Sequence, residues 1–209
     1  MLLLLMWRPS TCQDPTLALW SPANEIVKYE THSSTPYFFN RSPWLGTDKE
    51  NLDIMWADLY DYGTSGITKE EASKLLNATV TAPLADDIHL IELQVIHDLH
   101  CLNMLRKVAY PDQYPEMWDH YENGTVNHNT TQSFHIDHCI DSLRQSLQCT
   151  SDVTPIKWIH HPDDDYHVFP LVWSTRTCRN FEAIREWAMK RQVPAWILDF
   201  DRKGISNAA

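Results

Sequence analysis

Apolar positions along this chain fall into a few stretches at helical spacing, separated by long polar segments. Leu52, Met55, Trp56 and Leu59 recur every three or four residues, which predicts a helix over 48–62 with one face turned inward. Thr47 and Glu50 have capping-box spacing at its start and Gly63 marks its end. Thr68 and Glu71 repeat that spacing ahead of a short helix through Leu76. The longest stretch, 87–109, carries Leu90, Ile91, Leu93, Val95, Ile96, Leu99, Leu102, Met104 and Leu105. With few polar faces left, it predicts a central, buried helix that stops before Pro111. A helix over 133–148 has Ile136, Ile140, Leu143 and Leu147 as its core stripe, and a last one over 180–191 presents Phe181, Ile184, Trp187 and Ala188. Residues 110–132 read as a loop, and the stretch containing Pro162 is irregular. Pro9, Pro15, Pro22, Pro36 and Pro43 exclude long helices from the first 45 residues. The expected fold is therefore mainly α: a helical domain with two long helices, long irregular loops and an extended N-terminal arm.

A length of 209 residues fits one domain large enough to bury its own core. The formal charge of −11 excludes a nucleic-acid partner, which needs a basic face, and reads as a solvated acidic surface. Met1 to Trp7 are apolar but far short of the roughly 20 residues that cross a bilayer. They are either the stub of a truncated membrane anchor or an ordinary apolar terminus. Sequons occur at Asn77, Asn123 and Asn129, with a weaker one at Asn40 because Pro43 follows it. With five cysteines and no C-x-x-C, they point to the oxidising lumen of the secretory pathway, with Asn77, Asn123 and Asn129 as glycosylation sites.

The candidate chemistry lies in a five-residue pattern that occurs twice. It reads His97-Asp-Leu-His100-Cys101 and His135-Ile-Asp-His138-Cys139. Residues three apart on a helix share a side, so two such helices packed together would aim four imidazoles at one place. The plain alternative is four structural histidines bonded to backbone carbonyls. Four unpaired buried imidazoles would each cost roughly 1–3 kcal/mol, which favours a metal site of His97, His100, His135 and His138. An all-imidazole set suits copper first, with zinc, nickel or iron behind it. A closed set of four would be structural, so a working enzyme would use three of them or split them between two ions.

The cysteines have two readings. Cys101 and Cys139 are either thiolate ligands or nucleophiles, or they join Cys149 and Cys178 in two disulfides, the reading preferred for a lumenal domain. Cys139 with Cys149 lie too far apart on one helix to close, at about 15 Å along the axis. That leaves Cys101–Cys139 with Cys149–Cys178, or Cys101–Cys149 with Cys139–Cys178, and Cys12 left over. His160 and His161 with Asp163 to Asp165 form either a second metal locus or, by preference, a solvated acidic loop. His120 and His128 read as exposed, and Asp98 and Asp137 as partners of the imidazoles or surface residues.

At these residues the chain resembles the UstYa-like family of fungal secondary-metabolite proteins. The resemblance runs through Trp20-Ser-Pro-Ala-Asn-Glu-Ile-Val-Lys-Tyr29, the two H-x-x-H-C segments, Asp152-Val-Thr-Pro155 and Thr177-Cys-Arg-Asn-Phe181. It implies a catalytic domain over 20–191, between an N-terminal stub at 1–19 and a C-terminal tail at 192–209. It also implies a copper-dependent oxidase that hydroxylates, halogenates, cyclises or desaturates a peptide or small metabolite. A non-catalytic accessory protein and a metal-free enzyme using a cysteine are the alternatives. Partners would be that substrate, a membrane through a full-length anchor, and further copies or related oxidases in an oligomer. Arg176 stands where many members carry a histidine, which puts undiminished activity in doubt.

Overall fold

The computed structural model describes residues 14–34, 41–161, 164–170 and 174–198. Among them the order is β1 (Tyr29–Ser33), α1 (Lys49–Tyr60), β2 (Thr64–Ile67), α2 (Lys69–Ala72), β3 (Thr81–Ala82), β4 (Ala85–Glu92), α3 (Gln94–Val108), α4 (Thr131–Thr150), β5 (Trp158–His161), β6 (Asp164–Pro170), β7 (Thr175–Arg179), α5 (Phe181–Lys190) and α6 (Ala195–Leu198). The strands form a three-stranded antiparallel sheet, β2-β4-β3, and two ribbons, β1-β7 and β5-β6. This corrects the mainly α expectation: the fold is mixed α/β.

The correction arises chiefly at 87–109. Its first third is strand β4, and only from Gln94 does the chain turn helical. A dense apolar run satisfies strand and helix alike, and tertiary pairing decides between them. Here β4 lies between two partners. Ile88 and Leu90 pack on Ala82, Val193, Ile197 and Leu198, while Ile91 and Leu93 pack on Tyr62, Ile96 and Trp187. That split across two faces is what a strand offers and a helix does not. The segment from residue 192, placed in a tail by the sequence, thus packs into the body as far as Leu198.

Smaller departures have local causes. Helix α1 starts at Lys49 because Asp48, not Thr47, caps it, its Oδ1 accepting from the Asn51 amide at 3.3 Å. The Thr68–Glu71 capping box forms, with both reciprocal bonds present, although α2 ends at Ala72. Helix α5 is capped by Asn180, whose Oδ1 accepts from the Ala183 amide at 2.8 Å. Gly66 on β2 admits no side chain, since a Cβ there would meet Ile88 Cγ2 at 2.8 Å and Val193 Cγ2 at 3.1 Å. Gly66→Ala is expected to lower stability by about 1–3 kcal/mol, read as a drop in melting temperature.

Two elements carry the candidate chemistry, α3 and α4, and they pack antiparallel. Ser146 donates to Asp98 at one end of the contact, and His135 meets His100 at the other. The predicted core stripe of α4 is half wrong. Ile136 is buried, but Ile140 and Leu147 are 51% and 71% exposed. The face that packs on α3 is instead His135, His138, Cys139, Ser142 and Ser146. Small and imidazole side chains therefore line the helix contact, and the apolar cluster of Met104, Tyr114, Met117 and Ile136 closes around the two cysteines from one side.

Candidate metal centre

Antiparallel packing pairs the first histidine of each motif with the second of the other. His97 Nε2 lies 3.4 Å from His138 Nε2, and His100 Nε2 lies 3.4 Å from His135 Nε2. The four predicted histidines are thus brought together, but as two pairs. A separation of 3.4 Å is short enough for both nitrogens of a pair to bind one ion at about 2.0–2.1 Å. The donor set therefore fits a metal such as copper or zinc.

Burial acts on the inner pair. Desolvation, joined by the neighbouring histidines, pushes His100 and His135 below the ordinary histidine range. Both rings are held neutral near pH 7, the form that binds a metal. Tyr60, at the end of α1, sets its ring edge-on to His100 with centroids 5.2 Å apart. Its hydroxyl accepts from Asn103 Nδ2 at 2.7 Å, and Asn103 Oδ1 accepts from Arg106 Nε at 2.7 Å. Arg106 is buried and also donates to Asp53 Oδ1 at 2.6 Å and to the Tyr114 hydroxyl at 2.9 Å. This chain of bonds ties α1 to α3 directly beneath His100.

The outer pair is more open. His138 is exposed, and Ser142 Oγ lies 3.4 Å from His97 Nδ1, on the ring nitrogen that does not face His138. Such a partner fixes the tautomer and leaves Nε2 for a ligand. Glu92, at the end of β4, turns its carboxyl against Gly63, where a Cβ would meet Oε1 at 2.6 Å. Desolvation raises its pKa although the charge of His97 opposes the rise.

No disulfide is formed among the described residues, where the sequence led to an expectation of two. Cys101, Cys139, Cys149 and Cys178 are free thiols. Cys101 and Cys139 are fully buried and share one apolar cluster between the helices. Burial is the main cause that pushes both thiols up. Cys149 is exposed at the far end of α4 and Cys178 is half-buried on β7. Asp98 accepts from Gln94 and Ser146, so it ties the helices together rather than holding an imidazole. Arg176, on β7, pairs with Asp152 at 2.9 Å and donates to Ser34 at 3.2 Å. His128 is exposed with its ring against Trp118. Cys12, Asn40, the apolar start at 1–7 and the side chains of His161 to Asp165 lie outside the described residues. No helix among the described residues is long and apolar enough to cross a membrane.

Sequence reasoning missed Tyr60, Glu92, Asn103, Arg106 and Ser142. A signal existed for Ser142: with His135, His138, Cys139 and Ser146 it continues one helical face of small polar residues. For Asn103 and Arg106 the signal was polar side chains three apart among Cys101, Leu102, Met104 and Leu105.

A family model described as the mycotoxin biosynthesis protein UstYa matches residues 1–191. The chain belongs to the UstYa family. Among relatives within or near this UstYa group, the UstYa family oxidase aprY of Aspergillus flavus is 29% identical over 92% of this chain and 61% of its own length. The UstYa family oxidase VicYb of Bipolaris victoriae is 40% identical over 49% of this chain and 81% of its own. A protein named transacylase cctO, from Talaromyces islandicus, is 27% identical over 87% of this chain and 63% of its own. The chain thus spans less than two thirds of the length of aprY and of cctO. No solved structure matches.

Proposed function

We propose that this UstYa-family chain is a metal-dependent oxidase, with copper as its metal, that tailors a peptide or small secondary metabolite. The observation that carries the reading is the two cross-helix imidazole pairs, each with its Nε2 atoms 3.4 Å apart. The names of aprY and VicYb, both UstYa family oxidases, support the same class of chemistry. His97, His100, His135 and His138 would hold the metal. Bound copper would supply the dioxygen chemistry that oxidation of an unactivated C–H bond needs.

The protein's own part is division of labour around those rings. His138, exposed at the surface, marks the side from which substrate arrives, while Tyr60 walls off His100. Ser142 orients His97, and Cys101, Cys139 and Ile136 exclude water from behind. Full burial and raised pKa of both cysteines count against the metal-free reading, because a thiol nucleophile must be reachable and ionised. Exposure of Asn77, Asn123 and Asn129 suits glycosylation in a lumenal protein, possible only for side chains an oligosaccharide transferase can reach. Metal analysis of the purified, folded chain is the test. Copper bound at the centre is expected, and a preparation that takes up no copper, zinc or iron overturns the reading in favour of an accessory protein.

A further inference from the structure

The two imidazole pairs share one motif but not one environment. Beside the half-buried inner pair sits Cys139: its Sγ and ring nitrogens of His100 and His135 all lie within 4.8 Å of one another. No such trio forms around the outer pair among the described residues. Cys101 Sγ does approach His97, but at 3.8 Å from Nε2 and 3.9 Å from Nδ1. Near-equal distances to both nitrogens put the sulfur against the ring, not along the lone pair that would face a shared ion. Cys101 instead packs with Cys139 in the buried apolar cluster beside the helices.

We propose that the centre is asymmetric: His100, His135 and Cys139 form an inner site that binds one soft metal ion through two imidazoles and a thiolate. His97 and His138 then form an outer site of two ligands, facing solvent with positions open for substrate. The inference rests on the metal reading above and refines it. Two imidazoles and one thiolate are the donor set of copper sites suited to electron transfer, whereas substrate chemistry needs open positions. Seating an ion in the inner site forms a metal–sulfur bond and releases the Cys139 thiol proton to solvent. Cys101, fully buried in the same cluster as Cys139, is the neighbour whose removal should alter the surroundings of the ligating sulfur.

The experiment uses the full chain, reduced, stripped of metal and handled without oxygen, with Co²⁺ as a spectroscopic probe. A thiolate-to-cobalt charge-transfer band is expected in the near ultraviolet. Cys139→Ser should abolish it; His97→Ala and His138→Ala should leave it; Cys101→Ser should keep it at a shifted energy. X-ray absorption of the wild-type chain with one equivalent of zinc checks the same ligand without any variant, and a sulfur neighbour at about 2.3 Å is expected. Metal uptake with no charge-transfer band and no sulfur neighbour overturns the asymmetric centre while leaving the metal reading standing. A band that survives Cys139→Ser in a folded chain does the same, as does a Cys101–Cys139 disulfide recovered from the metal-loaded protein. Failure to take up any metal overturns both.

Discussion

Alanine at His97, His100, His135 or His138, one at a time, is expected to cut turnover by more than about 100-fold while the fold persists. Removing an outer partner of a metal ligand already costs about 10–100-fold, and each of these rings is a candidate ligand itself. Each pair has only two imidazoles, so losing one leaves an ion with a single ring on that side. The fold should survive because the rings are half-buried or exposed and the helices keep their own backbone bonds and the cluster around Met104 and Ile136. Turnover of the native metabolite and dioxygen uptake give the rate, and circular dichroism checks the fold. Full activity in all four variants would remove the site assignment.

Arg106→Ala is expected to be the most damaging change away from the histidines, lowering stability by about 3–5 kcal/mol. The guanidinium is buried while Asp53 is half-buried, so its removal strips the carboxylate of its main partner and leaves only Lys107, 3.9 Å away. Here the loss reaches further, since one guanidinium holds Asp53, Asn103 and Tyr114 together. Arg106→Lys should rescue little, because an ammonium cannot reproduce the fork of donors. Denaturant unfolding measures the effect. The pH dependence has a definite sign. Burial pushes the Asp53 carboxyl up, but hydrogen bonds from Tyr114 and Arg106 and the charge of Lys107 outweigh it and hold the pKa below the usual 3.8. The folded state therefore binds fewer protons than the unfolded chain, and the contribution is complete above that ordinary value. It fades as pH falls below 3.8 through the lower folded value, so wild type and Asp53→Asn should converge in acid.

Much of the candidate site was legible because its information is local. The H-x-x-H spacing needs only a helix, and both motifs sit on helices, α3 and α4, as their periodicity predicts. The sheets were not legible, because they depend on partners far along the chain. Thr64 pairs with Glu92, 28 positions on, and Tyr29 with Arg179, 150 positions on. Ile88 to Leu93 satisfied a helical reading until β2 and β3 claimed them on either side. The orientation of α4 was hidden for a related reason. Counting apolar residues gave weight to Ile140 and Leu147, whereas the packed face is built from Cys139, Ser142 and Ser146, which let the helices approach closely.

Because α3 and α4 run in opposite directions, the repeated motif becomes a palindrome in space. His97 answers His138 and His100 answers His135, an approximate twofold pattern in which the ring planes of the two pairs nevertheless differ, 61° apart in one and 23° in the other. The motif alone would make both halves equivalent. What breaks the equivalence lies outside it: Tyr60 against His100 on one side, Ser142 against His97 on the other. Chains could therefore keep the same ten motif positions and still diverge in reactivity, through substitutions at those flanking contacts.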